Sequence, residues 1–460
     1  MVARPYAPHP GAGVDDDAGR LVAEDERTRL GEVAVHDVEV ARANAARGDP
    51  DQRFPLVGRL ELDVLDRHRL SHLPEHGCLD PHGREPTAPP SYNRAVRAAV
   101  LREIDRPLEV EDVDLADPGP GQVAVRLAAS GICHSDWNVI IGATTNPLPA
   151  VLGHEGAGVV EALGEGVTDV AVGDHVVLSW LPSCGKCFYC VRGRGVLCDM
   201  AMADMFAGTL PGGSLALSQD GEPIYHYGFL SAFAERCVVP EICCVPIRED
   251  VPLDVAALVG CAVMTGFGAA VLRARVEPGS VAVVYGAGGV GLSAVLGCKL
   301  AGAQAIVAAD PVAFKRKTAL ALGATHAVDP RTEDVAALAR ELTDGRGADY
   351  AFDTAGAPGV VAQAYVAVRR GGVVVAVGLP PEGETADLPA SDLPREEKVV
   401  TGSFYGSCRP HQDMPLVLDL YMDGRLDLGA LVTRTFTLDE VNEGFAAMNA
   451  GEVARGVIRF

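Results

Sequence analysis

The sequence lacks a long uninterrupted apolar run. Its first thirty residues are polar, acidic and Arg-containing, without the apolar core of a signal peptide. No stretch of about 18 apolar residues is free of glycine or polar interruptions, so we expect no membrane span and no membrane partner. Positive charge is also scarce, since 39 Lys and Arg stand against 62 Asp and Glu, for a formal net charge of −23. Because such a field repels polyanions, nucleic acid is not expected as a partner.

The twelve cysteines of this 460-residue chain do not resemble a secreted disulfide framework. Four of them crowd into residues 184–198, a pattern typical of metal binding in a reducing cytosol. We therefore expect a cytoplasmic protein. With 48% hydrophobic residues, the chain is long enough for two or three packed domains.

Residues 1–93 lack lysine and show only weak periodicity, which predicts a polar, disordered N-terminal extension. Methionine is absent between the first residue and Met200, and one hypothesis is that translation in the native source begins near Val96. The alternative interpretation is that this extension contains a metal site, since His68, His72 and His76 fall at helical spacing near Cys78.

The remaining chain has an α/β pattern with two kinds of segment. Short β segments punctuated by glycine over residues 94–262 predict an antiparallel, partly barrel-shaped domain, with a Cys-rich lobe at 184–198. Alternating strands and helices over residues 263–404 predict a doubly wound parallel sheet. Residues 405–460 are expected to return to the first domain.

A glycine motif opens the predicted parallel sheet domain. It has the form G-x-G-x-x-G, follows an apolar strand and precedes a helix, which is the context that a dinucleotide site requires. Glycine lets the backbone approach a pyrophosphate, and the helix N-terminus supplies free N–H groups. The motif residues are Gly286, Gly288, Gly289, Val290 and Gly291.

The second predicted strand of this sheet ends at Asp310. A carboxylate there accepts hydrogen bonds from a ribose 2′-hydroxyl but repels the 2′-phosphate of NADP, at a cost of roughly 4 kcal/mol for charges about 4 Å apart. NAD is therefore favoured over NADP, although Lys315 and Arg316 can reduce that penalty.

The Cys-rich lobe reads C-x2-C-x2-C-x7-C, with ligands Cys184, Cys187, Cys190 and Cys198. Four thiolates close a tetrahedral shell, which is typical of a structural zinc site. An iron–sulfur cluster is the alternative, but bacterial ferredoxins have a last gap of three residues and a following proline. Here the gap is seven and Asp199 follows, so zinc is favoured.

Three dispersed residues predict a second metal site. Cys133, His154 and Cys261 can each be a buried core residue when taken alone. Together they supply two thiolates and one imidazole, the ligand set of a catalytic zinc with an open fourth position. Asp136 is a candidate to orient the His154 ring, and Glu155 places a carboxylate beside the metal.

The chain from residue 94 to 460 resembles the zinc-containing medium-chain alcohol dehydrogenases, close to the liver-type and glutathione-dependent branches. Five motifs match in order and at family spacing: GICHSD, VLGHEGAGVVEALGEGVT, GCAVMTGFGAAV, GAGGVGLSAVLGCK and GVIRF. The resemblance implies a GroES-like catalytic domain, a Rossmann domain and two zinc ions per chain. It also implies hydride transfer between a primary alcohol or aldehyde and NAD, in a homodimer or homotetramer.

The resemblance also assigns roles by motif, beginning with the two zinc sites named above. Ser135 is the hydroxyl that takes the substrate proton, and Thr265 and Val290 pack on the nicotinamide. The remaining implied cofactor contacts are Asp310 and Lys315 at the adenosine ribose, and His134 and Arg455 at the pyrophosphate.

Several positions depart from the family pattern. Where liver-type members often have a relay histidine, this chain has Asn138, which cannot titrate. The anchors that bind a glutathione adduct are replaced by Thr144, Asn146 and Met202, whereas Trp180 suggests a narrow substrate pocket. Three alternatives stay open: a dehydrogenase of thiol adducts of formaldehyde, with glutathione or mycothiol, an enzyme that retains NAD and uses an external acceptor, and a non-enzymatic zinc- and nucleotide-binding protein.

Overall fold

The computed structural model describes residues 94–381 and 383–460. The N-terminal extension predicted for residues 1–93, with its group of His and Cys residues, lies outside the described residues. In the described part the strands are β1 (Arg94–Leu101), β2 (Glu109–Leu115), β3 (Gln122–Gly131), β4 (Ala150–Val151), β5 (Gly156–Leu163), β6 (His175–Leu178), β7 (Leu217–Gln219), β8 (Glu222–His226), β9 (Arg236–Pro240), β10 (Cys244–Pro246), β11 (Val281–Tyr285), β12 (Ala305–Ala309), β13 (His326–Val328), β14 (Ala348–Asp353), β15 (Val368–Ala376), β16 (Val399–Gly402), β17 (Val432–Phe436) and β18 (Arg455–Arg459).

Helices connect these strands, most of them in the second half of the chain. The α-helices are α1 (His134–Ile140), α2 (Asp199–Asp204), α3 (Leu253–Leu258), α4 (Met264–Gly268), α5 (Gly289–Leu300), α6 (Ala313–Leu322), α7 (Val335–Glu341), α8 (Val360–Ala367), α9 (Asp392–Glu396), α10 (Pro410–Met422) and α11 (Val441–Asn449). Two further segments are π-helical. Val259–Val263 joins α3 to α4, and Ala269–Ala274 follows α4, so that Leu253–Ala274 is one continuous helical run.

The first two sheets are largely antiparallel, and their strands are interleaved along the sequence. One is a closed barrel of order β1-β2-β7-β8-β4, and the other has the order β10-β6-β5-β3-β18-β17, with β9 also paired to β3. Strand β18 comes from the end of the chain, and it pairs antiparallel with β3 through Val457 and Gly131. The C-terminal segment therefore completes a sheet that begins in the first domain.

The third sheet is parallel and has the order β13-β12-β11-β14-β15-β16. All five residues of its central strand β11 are buried, as expected for a parallel sheet with helices on both faces. The chain order reverses between β11 and β14, and ligands bind beside such a reversal at the carboxyl ends of the strands. The expected combination of a partly barrel-shaped β domain with a doubly wound parallel sheet is confirmed.

The helical run Leu253–Ala274 is long and apolar enough to cross a membrane. However, 83% of its most apolar window is buried inside the protein, between the second sheet and the parallel sheet domain. Burial of this kind is what a core helix requires, because its apolar side chains are already removed from water. The run also carries two residues of the predicted site, Cys261 and Thr265.

Candidate active site and metal centres

The predicted catalytic metal ligands converge in the structure. One ligand atom each from Cys133, His154, Glu155 and Cys261 lies within 4.8 Å of the others, and all four residues are buried. Cys133 is the N-cap residue of α1, the two central residues lie between β4 and β5, and Cys261 lies in the π-helical segment Val259–Val263. A π-helical turn is often found at functional sites because it displaces one side chain from the regular helix face.

The donor set of this group fits zinc, which favours sulfur and imidazole nitrogen. A hydrogen bond from Cys261 holds the pKa of the Cys133 thiol well below its usual range, although burial opposes this effect. Donating that hydrogen bond, together with burial, raises the pKa of Cys261. One of the two thiols is therefore the more acidic, and binding of a cation to thiolates releases the protons of both.

Asp136 is in direct contact with the His154 ring. Its Oδ1 lies 3.0 Å from His154 Nδ1 and accepts a second hydrogen bond, also of 3.0 Å, from the backbone N–H of Gly153. Asp136 is fully buried, and burial raises its pKa whereas the neighbouring His154 lowers it. Because Nδ1 is held by this carboxylate, Nε2 is the ring nitrogen left for a metal.

A buried ion pair connects this group to the C-terminal strand. The Arg455 guanidinium donates to Glu155 Oε2, and the two side chains are 5% and 0% exposed. Burial raises the pKa of Glu155 to about 7, against the opposing effect of Arg455. Arg455 also packs against Gly289, where an added Cβ would collide with its side chain. One guanidinium therefore bridges the metal-ligand group and the glycine motif.

The glycine motif forms a tight turn between β11 and α5. Gly286 has a φ of 89°, a conformation that favours glycine, and a Cβ at Gly291 would collide with the Gly286 carbonyl. The carboxylate of Asp310, only 4% exposed, accepts hydrogen bonds of 2.8 Å from Ala287 N and Val312 N. The turn and the carboxylate are therefore held against each other at the carboxyl ends of β11 and β12.

Two cations near Asp310 differ in whether they form an ion pair. Arg316 donates to the Asp310 carbonyl at 2.7 Å and lies 3.3 Å from Asp329, which it shares with Arg331, so its guanidinium is already engaged. Lys315 is half-buried on the same helix α6. Lys315 and Arg316 are the two cations that could stabilise a 2′-phosphate. Of the two, only Lys315 lacks an ion pair among the residues that the structure describes.

Thr265 and Val290 are also brought together. Helix α4 approaches the start of α5 so closely that a Cβ at Gly266 would collide with the Val290 carbonyl. Thr265 lies four residues after Cys261 in the same helical run, so both predicted nicotinamide contacts are tied to a predicted metal ligand. Ser135, half-buried in the first turn of α1, has its Oγ 3.8 Å from Cys133 Sγ, and His134 beside it is exposed.

Aromatic residues wall the space beside His154. The ring centroids of Trp180 and Tyr227 lie 6.1 Å and 5.5 Å from that of His154, both edge-on. Trp180 also contacts Phe404 and Tyr405, at 5.5 Å and 4.6 Å. Sequence reasoning found Trp180 but missed the other three, since none belongs to a motif. For Phe404 and Tyr405 one signal existed, because they directly follow the carboxyl end of β16.

The four lobe cysteines form the second candidate metal centre. Their sulfur atoms lie within 4.8 Å of one another, with Cys198 buried and the other three half-buried. Backbone N–H groups of Cys184 and Cys190 point at the sulfurs of Cys198 and Cys187, at 3.3 Å and 3.5 Å. Four sulfurs with such N–H donors fit a closed structural zinc site.

The positions that depart from the family pattern carry no charge. Asn146 donates through Nδ2 to the carbonyls of Pro147 and His226, at 2.9 Å and 3.4 Å, so its amide fastens the loop. Thr144 is half-buried, and Met202 is 37% exposed on α2. None of the three supplies an ionic anchor for a substrate carboxylate or ammonium group.

Comparison with known proteins agrees with this geometry. Family models of an alcohol dehydrogenase GroES-like domain and a zinc-binding dehydrogenase match residues 119–249 and 289–423. An NDMA-dependent alcohol dehydrogenase of Amycolatopsis methanolica is 42% identical over 79% of this chain and 98% of its own. An S-(hydroxymethyl)glutathione dehydrogenase of Paracoccus denitrificans is 39% identical over 79% and 99%. The crystal structure of benzyl alcohol dehydrogenase from Acinetobacter calcoaceticus, 34% identical, covers 80% of this chain and 99% of that chain with a TM-score of 0.76. Together with the assembled metal and dinucleotide motifs, these matches mean that the chain belongs to the zinc-dependent medium-chain alcohol dehydrogenase family.

Proposed function

We propose that this enzyme transfers a hydride between a small primary alcohol or aldehyde and NAD. The observation that carries the proposal is the helical run Leu253–Ala274, which presents Cys261 to the metal-ligand group and Thr265 to the start of α5. Oxidation of the alcohol removes a proton from its oxygen and a hydride from its carbon. The residues that would hold the metal and those that would hold the nicotinamide therefore need to lie side by side, and this one helical run carries a residue of each kind.

Two zinc ions are part of this proposal. Cys133, His154 and Cys261 would hold the catalytic zinc, and the lobe cysteines at 184–198 would hold the structural one. When bound, the catalytic zinc acts as a Lewis acid that lowers the pKa of an alcohol hydroxyl. Glu155 and Asp136 surround the site with buried carboxylates, and they contribute orientation and charge balance rather than additional fixed ligands.

Ser135 takes the proton of the alcohol hydroxyl in this proposal. Its backbone carbonyl accepts a hydrogen bond of 3.3 Å from the Tyr227 hydroxyl, which fixes the turn that presents its Oγ. Asn138 lies in the same helix but cannot titrate, so no side chain at that position would extend the relay beyond Ser135. This shorter relay predicts weaker general-base assistance than a terminal histidine provides.

The cofactor would lie across the glycine turn. Gly286 to Gly291 would approach the pyrophosphate, with Arg455 and His134 beside it as hydrogen-bond donors. Asp310 and Lys315 would contact the adenosine ribose, and Thr265 and Val290 would hold the nicotinamide face toward the substrate. The buried Asp310 carboxylate and the engaged Arg316 both support NAD over NADP.

The aromatic wall supports a narrow substrate pocket. Trp180 and Tyr227 lie against His154, and Phe404 lies against Trp180, which favours a flat or slender primary alcohol over a branched secondary one. Benzyl alcohol is therefore a useful probe, since a relative with 34% identity is named for it. The test is a substrate screen with NAD and with NADP, run alongside zinc counting, in which two zinc ions per chain are expected.

The deciding variant is Cys261→Ser. It should lose one zinc per chain and most of its activity, whereas Cys237→Ser, a buried thiol in β9 outside both metal groups, should retain both. Full activity and full zinc content in Cys261→Ser would contradict the ligand assignment.

A second candidate keeps NAD bound and reoxidises it in place with an external acceptor. A relative with 42% identity is named as NDMA-dependent, which favours this variant. Here hydride passes from the alcohol to NAD, and NADH then reduces the acceptor without leaving. Purified enzyme that carries nicotinamide absorbance and turns over with NDMA but not with added NAD supports this candidate; rapid exchange of NAD contradicts it.

Thiol adducts of formaldehyde are the remaining substrate class. The uncharged Thr144, Asn146 and Met202 argue against it, although a relative with 39% identity is named for an S-(hydroxymethyl)glutathione substrate. Comparing turnover of plain alcohols with that of S-hydroxymethyl adducts of glutathione and mycothiol separates the two.

We also propose a cytoplasmic homodimer or homotetramer. The eleven cysteines among the described residues are all free, which supports a reducing compartment. Strand β16 is an exposed sheet edge, with Val399 and Val400 48% and 37% exposed, and such edges pair readily with a second chain. Sedimentation analysis of wild type and of Val400→Lys tests this assembly.

A further inference from the structure

A cavity of about 830 Å³ lies in the parallel sheet domain, away from the glycine turn. It is lined by residues at or just before the amino ends of β14, β15 and β16, whereas the glycine turn and Asp310 follow the carboxyl ends of β11 and β12. The strands between these two edges are about 20 Å long, at roughly 3.3 Å per residue. The cavity is therefore a separate site from the one that would hold the cofactor.

Five cations and a single carboxylate are among the residues that line this basic cavity: Arg340, Arg346, Arg369, Arg370, Lys398 and Glu396. The concentration of positive charge is unusual for a chain whose formal net charge is −23. Like charges gathered in one concave surface repel one another, and bound anions relieve that repulsion.

The arginines are placed by an irregularity in the sheet. Ala348 pairs with Val368 and Tyr350 with Val373, so that one residue of β14 faces four residues of β15. The extra residues bulge out of the ladder and include both Arg369 and Arg370. Bulges of this kind redirect side chains and are frequent beside binding sites.

Some of the cations in the basic cavity form ion pairs and others do not. Arg369 is held at 2.6 Å by Asp349, and Lys398 at 2.8 Å by Glu396, with its ammonium 4.6 Å from the centre of the Tyr365 ring. Arg340 and Arg370, by contrast, form no ion pair within 4 Å among the described residues and are exposed. Arg346 lies 3.8 Å from Asp344. Three cations of the cavity are thus paired with carboxylates, and they lie beside two guanidinium groups that form no ion pair within the described part of the chain.

We infer that the basic cavity binds a small molecule bearing a polyphosphate or several phosphate groups. Guanidinium forks match phosphate oxygens in pairs, and several of them together discriminate a multiply charged group from a single one. The volume falls in the range of small-molecule sites rather than of flat docking faces. Val366, 55% exposed at the cavity wall, and Val368 offer an apolar surface for the body of such a ligand.

The test is calorimetric titration of the full-length enzyme with inorganic tripolyphosphate, in phosphate-free buffer of low ionic strength. Saturating NAD is present throughout, so that the cofactor pyrophosphate site is occupied. One tripolyphosphate per chain should bind. The double variant Arg340→Gln/Arg370→Gln should bind at least about tenfold more weakly, since two charge-assisted contacts are lost.

A matched control removes the same charge elsewhere. Arg106→Gln/Arg425→Gln changes two exposed arginines outside the cavity and should alter tripolyphosphate binding by less than about twofold. Both double variants should keep wild-type alcohol turnover and melting temperature, which shows that they fold. Absence of binding in the NAD-saturated wild type, or an equal loss in both variants, would overturn the inference.

Discussion

Replacing Asp136 by asparagine should weaken zinc binding at the catalytic site without unfolding the protein. The amide oxygen of the substituted side chain can still accept the Gly153 N–H, but the variant loses the charge that strengthens the 3.0 Å bond to His154 Nδ1. Hydrogen bonds to charged groups exceed neutral ones by about 1–2 kcal/mol. The zinc affinity should therefore fall about fivefold to thirtyfold, which overlaps the range of roughly 10–100-fold typical of changes of this class.

The assay is a titration of zinc against a competing chelator, in which the four-cysteine lobe serves as an internal reference. Only the binding step that Cys261→Ser removes should shift in Asp136→Asn. Asp413→Asn is the matched control, because Asp413 is also buried and also accepts a backbone N–H, from Arg409, but lies outside the site. Equal weakening of both zinc sites, or a shift under twofold, would refute the reasoning about His154 orientation.

Three further predictions follow from the same contacts. Gly266→Ala should raise the KM for NAD and lower stability by about 1–3 kcal/mol, because its Cβ collides with the Val290 carbonyl. Gly429→Ala controls for the substitution in urea unfolding, since Gly429 has no positive φ and the nearest atom to an added Cβ would be 3.5 Å away. Asp310→Ser should shift the ratio of kcat/KM for NAD over NADP toward NADP by at least about tenfold in steady-state assays; an unchanged ratio would contradict the 2′-phosphate argument. Burial lowers the pKa of His226 to about 4, so the folded state disfavours its proton. The resulting stability is complete above the unfolded pKa and is lost as pH falls, by about 2 kcal/mol between pH 7 and 4.5; His226→Gln should flatten this part of the pH profile, and an unchanged slope would count against it.

The fold and both metal-ligand groups were accessible from sequence because their signals are local. The glycine turn, the alternating strands and helices, and the C-x2-C-x2-C-x7-C spacing each occupy a short segment whose chemistry is self-contained. Cys133, His154 and Cys261 are far apart in sequence, and only their motifs allowed them to be grouped. The structure supplies the distances that a motif cannot.

The features that the sequence did not reveal depend on tertiary contacts between segments that carry no recognisable motif. Tyr227 reaches His154 from the end of the barrel, and no pattern around it differs from that of an ordinary loop aromatic. The π-helical turn at Cys261 has no periodicity that distinguishes it from the surrounding helix. The basic cavity depends on a three-residue register shift in β15, which strand alternation alone does not reveal.

The guanidinium of Arg455 has a thermodynamic consequence. It pairs with Glu155 beside the metal-ligand group and packs on Gly289 of the cofactor turn. Under the proposed function this guanidinium belongs to two binding sites, and a cation so placed makes the free energy of filling one site depend on whether the other is filled. Linkage is reciprocal, so any factor by which NAD changes the affinity for zinc is also the factor by which zinc changes the affinity for NAD. Metal content and cofactor retention in this enzyme are thus two measurements of one coupling energy.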